Sequence, residues 1–162
     1  MPTKDLIHVH MDPPHPVPGD GDHAMIGSHL PPAGIDAFVA AFRSKAGSPL
    51  LMGELRQLGG ALARSGDDHG AADTFDGSYT MFNVGMTPTP EIAAAVAAAL
   101  PVMRKAMAPY EGGRQYLNFA EQKGTDVRGF YSPETYDRLR RVKGRYDPDE
   151  VFRANHPITP AR

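Results

Sequence analysis

Ser78-Tyr79-Thr80-Met81-Phe82-Asn83-Val84-Gly85-Met86 is followed at once by Thr87-Pro88-Thr89-Pro90 and then by Glu91-Ile92-Ala93-Ala94-Ala95-Val96. Tyr79, Met81, Phe82, Val84 and Met86 alternate in part, the pattern of a strand. The two prolines break it. Thr89 is a good N-cap residue and Pro90 suits the first helical position. Residues 91–108 then read as an Ala-rich helix with Ile92, Val96, Leu100, Met103 and Met107 on one stripe. Pro101 falls inside it and is expected to kink or split it. A strand handing over directly to an amphipathic helix implies a sheet face for the stripe to cover.

The flanking segments extend this pattern. Upstream, 50–58 is an apolar run ended by Gly59-Gly60 and reads as a strand. Residues 34–43 place Ile35, Phe38, Val39 and Phe42 at helical spacing. Residues 5–12 and 24–30 are two further strand candidates, and the Pro- and Gly-rich 13–22 reads as a turn. Downstream, Ser132-Pro133 opens a last helix with Tyr136, Leu139 and Val142 on one side, and Val151-Phe152 should dock apolar side chains. Parallel α/β would need a helix between every pair of strands. The expected class is therefore α+β: an antiparallel sheet of about four strands flanked on one face by helices, with a C-terminal helical tail.

The 162 residues make one domain, 1–162, of a size that can bury an independent core. Apolar residues are 41% and charged residues 22%, both globular values. The formal charge of -2 argues against a nucleic-acid binder. Arg138, Arg140, Arg141, Lys143 and Arg145 cluster, but such a run on an amphipathic helix is usually a solvated face. The absence of Cys excludes disulfides, thiolate metal sites and Cys nucleophiles. No apolar run approaches membrane-spanning length and no secretory pattern opens the chain, so no membrane contact and a cytoplasmic location are expected. Gly and Pro make up about a fifth of the chain against an average near 12%, which indicates loop-rich globular structure.

Several groups could carry chemistry. His8, His10 and Asp12 would share a strand face and could bind Zn²⁺ or Fe²⁺, but His-x-His is short and common and is more often a solvated face, here before a polar turn, so no metal is assigned. Gly59-Gly60 allows a close backbone approach, yet neither Gly-x-Gly-x-x-Gly nor a Walker-type Gly-Lys-Ser is present. No Gly-x-Ser-x-Gly elbow occurs. Glu54 and Arg56 share a face of their strand; they either line a pocket or lie on the solvent side of the sheet.

The C-terminal third is the most specific. It reads Tyr116-Leu117-Asn118-Phe119, then Tyr136, Leu139, Val142-Lys143, Tyr146-Asp147-Pro148, Val151-Phe152 and Asn155-His156-Pro157-Ile158. This order and spacing resembles the C-terminal segment of berberine-bridge-enzyme-like FAD-linked oxidases. Met11-Asp12-Pro13-Pro14, Pro16-Val17-Pro18-Gly19 and Glu54-Leu55-Arg56-Gln57-Leu58-Gly59-Gly60-Ala61-Leu62 are similar to substrate-domain segments of bacterial members.

The resemblance implies the substrate-covering, C-terminal half of an FAD-dependent oxidoreductase, in which hydride passes from an alcohol, amine or similar carbon to flavin. It places Tyr116 and Asn118 against the flavin, where an amide offers donor and acceptor together. Glu54, Arg56 and Phe119 fall in the implied substrate pocket. Many members carry Tyr where Phe119 stands, serving as a base in some; Phe has no ionisable group, so no catalytic residue is assigned. The family's FAD-binding domain has no counterpart in this sequence. The resemblance therefore implies a split or truncated enzyme, or a domain remnant, working with an FAD-binding domain on a separate chain, inactive alone and not retaining FAD alone. The alternative is a non-catalytic binding or self-association module derived from such an enzyme, forming a homodimer through its uncovered face.

Overall fold

The computed structural model describes residues 1–9, 15–27, 29–66, 68–122 and 124–161. Strand β1 spans Gly19–Ile26, helix α1 Pro32–Arg43, strand β2 Met52–Gln57, strand β3 Tyr79–Met86, helix α2 Pro90–Met107 and helix α3 Pro133–Tyr146. The sheet order is β1-β3-β2, antiparallel throughout, which bears out the α+β class. Residue β3 Phe82 lies opposite His23 of β1 and Glu54 of β2. Because directly opposed residues share a face, Met81, Ala24 and Leu55 point one way, and Phe82, His23 and Glu54 the other.

The first of these faces carries the core. Ala24, Ile26 and Met81 pack with Val96, Ala99, Leu100, Met103 and Met107 of α2 and Phe38 of α1, all buried. Thr89 caps α2 by accepting from Ile92 N at 3.3 Å. The helix runs through Pro101, which is exposed like Ala97 one turn earlier, so the carbonyl that proline leaves without a donor faces water. Gly85 lets α2 lie close, since a Cβ there would come within 2.5 Å of the Val96 side chain.

The expected helix stripe holds except at its first residue, Ile92, which is 42% exposed. The stretch 90–110 is long and apolar enough, by length and composition, to cross a membrane. That corrects the expectation that no segment qualifies; Ala, which makes the helix apolar, is easily overlooked beside larger side chains. In the fold its stripe is spent against the sheet.

Other expectations shift. The anticipated strand at 5–12 is instead a 3-10 helix over Thr3–His8, with Leu6 and Val9 exposed and no sheet face to meet; residues 10–14 lie outside the described residues. That leaves three strands among the described residues rather than the expected four. The first of them begins at Gly19, inside the stretch read as a turn. As an edge strand β1 tolerates glycine, and Gly21 is needed there, because a Cβ would meet Glu121 Oε2 at 2.8 Å and the Phe82 ring at 3.2 Å. In α1, Phe38 is buried but Ile35 and Val39 are exposed. The helix is turned toward Gly34, whose missing Cβ leaves room for Leu30 and Tyr110.

The chain after α2 folds back over the second face of the sheet. Arg104 of α2 ties this return to β1, donating to Asp22 Oδ1 at 3.2 Å, His23 O at 2.8 Å and Glu111 Oε2 at 3.2 Å. Ser132 caps α3 by accepting from Thr135 N at 3.2 Å. At its other end the Asp147 carboxylate accepts from Val151 N at 2.7 Å and Phe152 N at 3.2 Å and pairs with Lys143. The tail then returns along α3, with Ala161 N donating to Arg140 O at 3.0 Å. Val151 and Phe152 do not dock: they are 74% and 77% exposed, and their order comes from backbone bonds to Asp147.

Candidate functional site

The second sheet face presents Phe82 at its centre, Glu54 and Arg56 toward the β2 edge, and His23 and Gly21 on β1. The 3-10 turn Leu117–Phe119 sits on it. The Phe119 ring lies 4.8 Å from that of Phe82 and 4.8 Å from that of Tyr116. Tyr116 meets Phe75 edge-on at 4.9 Å. The Arg56 guanidinium stands 5.1 Å over Phe119, a cation–π contact, and pairs with Glu54 at 2.7 Å. Asn118 Nδ2 donates to the Tyr116 hydroxyl at 3.2 Å. All five residues singled out from the sequence, Glu54, Arg56, Tyr116, Asn118 and Phe119, thus belong to one contiguous cluster. Of the two readings of Glu54 and Arg56, pocket lining or the solvent side of the sheet, the structure selects neither outright: their side chains are 25% and 47% exposed, and Arg56 packs over Phe119.

Asn118 is exposed and lies between two cavities. One, of about 1040 Å³, is lined by Leu117, Asn118, Glu121, Asp126 and His156 among others. The second, of about 260 Å³, is bounded by Phe75, Arg114, Tyr116, Asn118 and Phe130. Glu54 and Arg56 line neither and reach the cavities only through Phe119. With one amide hydrogen on Tyr116, Asn118 keeps its carbonyl and its other amide hydrogen for a planar polar ligand. That donor–acceptor pair, flanked by aromatic rings, fits the polar edge of an isoalloxazine.

Sequence reading missed three residues of this site. Glu121 sits over Gly21; burial, with the Asp20 charge second, pushes its carboxyl above the usual range. His156 holds the tail to the 3-10 turn through a 2.8 Å bond between Nε2 and Ala120 O, and its ring meets Phe130 at 5.1 Å. His23 is 4% exposed, and neither ring nitrogen has a hydrogen-bond partner among the described residues. Its pKa is held below the ordinary histidine value, first by burial. His156 lies in the Asn155–Ile158 stretch of the C-terminal motif but carried no assigned role; nothing local marks His23 or Glu121, which gain meaning only once β1 and the C-terminal turn share a face. Among the described residues no cluster of three or more metal-ligating side chains occurs. Of the histidine group considered for metal, His10 and Asp12 lie outside the described residues, and His8 is exposed.

Comparison with known proteins meets this geometry at the same segment. Residues 115–159 match the family described as berberine and berberine like. A curated relative, the uncharacterized FAD-linked oxidoreductase YvdP of Bacillus subtilis (strain 168), is 35% identical over 65 residues, 40% of this chain and 14% of its own length. BBE-like 1 of Physcomitrella patens superposes with a TM-score of 0.74 over 96% of this chain at 18% identity. The Bermuda grass isoallergen BG60 does so with a TM-score of 0.71 over 89% at 16% identity. This chain spans 33% of the length of each of these two structures. The stretch from Gln115 to Thr159 therefore matches the berberine and berberine like family, carried on a sheet-and-helix fold similar to that of BBE-like proteins.

Proposed function

We propose that this chain is the substrate-covering part of a berberine-bridge-enzyme-like FAD-dependent oxidoreductase, and that the flavin is bound mainly by an FAD-binding domain supplied on a separate chain. The observation that carries this reading is the aromatic and amide cluster on the face opposite α1 and α2, where Tyr116, Asn118 and Phe119 of the berberine-like segment meet Phe82 of β3. Flavin, when bound, supplies hydride acceptance from an alcohol, amine or similar carbon. The Asn118 amide would pair with the ring's polar edge, oriented by its bond to Tyr116. Phe82 and Phe119 would exclude water from one wall of the substrate pocket, and the Glu54–Arg56 pair would give that wall its polar part. Phe119 cannot move a proton. Glu121 is better suited to that task here, because its raised pKa lets it hold or release a proton nearer neutrality than an ordinary carboxyl.

The test combines the chain with an FAD-binding domain of this family as a separate protein. Co-purification and a shift of the flavin absorbance bands on adding the chain are expected, with the shift reduced by Asn118→Ala. If the two proteins fail to associate, or if the bands are indifferent to Asn118, the reading is wrong.

A further inference from the structure

Among the described residues β2 bonds only to β3 and lies last in the sheet, so its outer edge has no strand beside it there. We propose that two copies of this chain join antiparallel along β2, about a two-fold axis through Leu55, to make one continuous six-stranded sheet.

The register follows from the backbone. Leu58 N donates to Ser78 O at 2.8 Å, and this pair continues the register of Arg56 with Thr80 and Glu54 with Phe82. Hydrogen-bonded pairs alternate with non-bonded ones along an antiparallel ladder. The N–H and C=O groups of residues 54, 56 and 58 therefore point at β3. Those of Gly53, Leu55 and Gln57 point outward. These three are symmetric about Leu55, so a second copy can bond to all of them at once: Leu55 to its own counterpart, and Gly53 to Gln57 in both directions.

The side chains select the same register. With Leu55 on the axis, Glu54 of each copy faces Arg56 of the other, twice, at non-hydrogen-bonded positions where side chains approach most closely. Met52, which is 41% exposed, then faces Leu58 of the second copy. Moving the axis to Gly53 sets Glu54 against Met52; moving it to Gln57 sets Arg56 against Leu58. Only the central register matches charge with charge. Charges on an edge strand ordinarily discourage pairing; here their order along the strand is self-complementary, which permits one pairing and opposes its neighbours. Isologous contacts of this kind are the commonest way to close a dimer. Each Glu54–Arg56 pair would then gain the opposite pair of the second copy, so each copy completes the polar wall of the other.

This inference does not depend on the flavin reading, and its test reads no flavin. Sedimentation velocity on the full chain should show a reversible monomer–dimer equilibrium below roughly 100 µM, a range typical of modest interfaces. Glu54→Arg places four like charges at the junction, and so does Arg56→Glu. Each alone should weaken dimerisation by roughly tenfold or more, since two repulsive cross-strand contacts replace two attractive ones. An equimolar mixture of the two variants restores both complementary contacts and should form a heterodimer. Gln57→Pro, which removes an outward N–H and no bond to β3, should abolish dimers while leaving the circular dichroism spectrum unchanged. A wild-type chain that stays monomeric throughout overturns the proposal. So do dimers that survive Gln57→Pro, or single variants that remain monomeric when mixed.

Discussion

Asn118, proposed to face a planar polar ligand, has an arrangement that also suits the chain by itself. A buried, unpaired amide would cost roughly 1–3 kcal/mol, and the fold avoids this by leaving Asn118 exposed with one bond to Tyr116. Asn118→Ala is therefore expected to lower the stability of the isolated chain by roughly 1 kcal/mol or less, by chemical denaturation. A larger loss would make Asn118 structural. His23 is the opposite case, buried and held below its ordinary pKa by desolvation, with Asp22 opposing that shift. Between its lowered folded value and the unfolded value near 6.5, the unfolded chain binds a proton that the folded chain does not. Stability then rises with pH across that window, is complete above it and falls as pH drops through it. His23→Leu should flatten this part of the profile, while carboxylates whose pKa values are lowered, such as Asp76, act at lower pH. Urea midpoints on either side of about pH 6.5 for both proteins measure the difference. Tyr116, Asn118 and Phe119 were legible because they fall within one four-residue stretch of a motif. His23 and Glu121 were not, because a lone His and a lone Glu acquire meaning only through a shared sheet face.

At the scale of elements, the central unit was the easiest to read, since β3 and α2 each carry a complete periodic signal and a chemical punctuation mark, Thr89-Pro90, between them. What stayed hidden was close approach. Gly85 looks like a weak point in a strand, yet it sets the distance between β3 and α2: its missing side chain leaves the space that Val96, fully buried, occupies. Gly85→Ala is expected to destabilise the fold by roughly 1–3 kcal/mol, the usual cost of overpacking. Val96→Ala in the same chain should recover part of that loss, a double-mutant coupling that a purely conformational effect of glycine would not show. Gly34 and Gly21 misled the reading of α1 and β1 for the same reason. The turn after α3 was misread differently: Val151 and Phe152 looked like core, but Asp147 orders them through their backbone N–H groups, leaving their side chains outside. Removing that carboxylate with Asp147→Ala should accelerate amide exchange at Val151 and Phe152 before it affects β3, with exchange mass spectrometry as the readout.

At the scale of the whole molecule, the proposed flavin-facing cluster offers little to hold a dinucleotide. FAD is retained in its enzymes chiefly through its phosphates and dinucleotide, which need glycine-rich loops or a helix N-terminus with free amides. No such fingerprint occurs in this sequence. On the proposed reading the cluster would meet only the flavin ring, through the Asn118 amide and the Tyr116 and Phe119 rings. The larger cavity beside it carries Glu121 and Asp126, carboxylates that repel a pyrophosphate. The isolated chain is therefore expected to bind FAD weakly, with no stoichiometric binding in the sub-micromolar range by fluorescence titration. Riboflavin, which has the ring without the pyrophosphate, should bind at least as well as FAD, because the proposed contacts are to the ring and the larger cavity beside it is lined by Glu121 and Asp126. That ordering separates a ring-facing half-site from a complete dinucleotide site, for which loss of the phosphates would cost most of the affinity. Tight, stoichiometric FAD binding with riboflavin much weaker would mean that this chain carries a phosphate-binding element of its own, and that its dependence on a second protein has been misjudged.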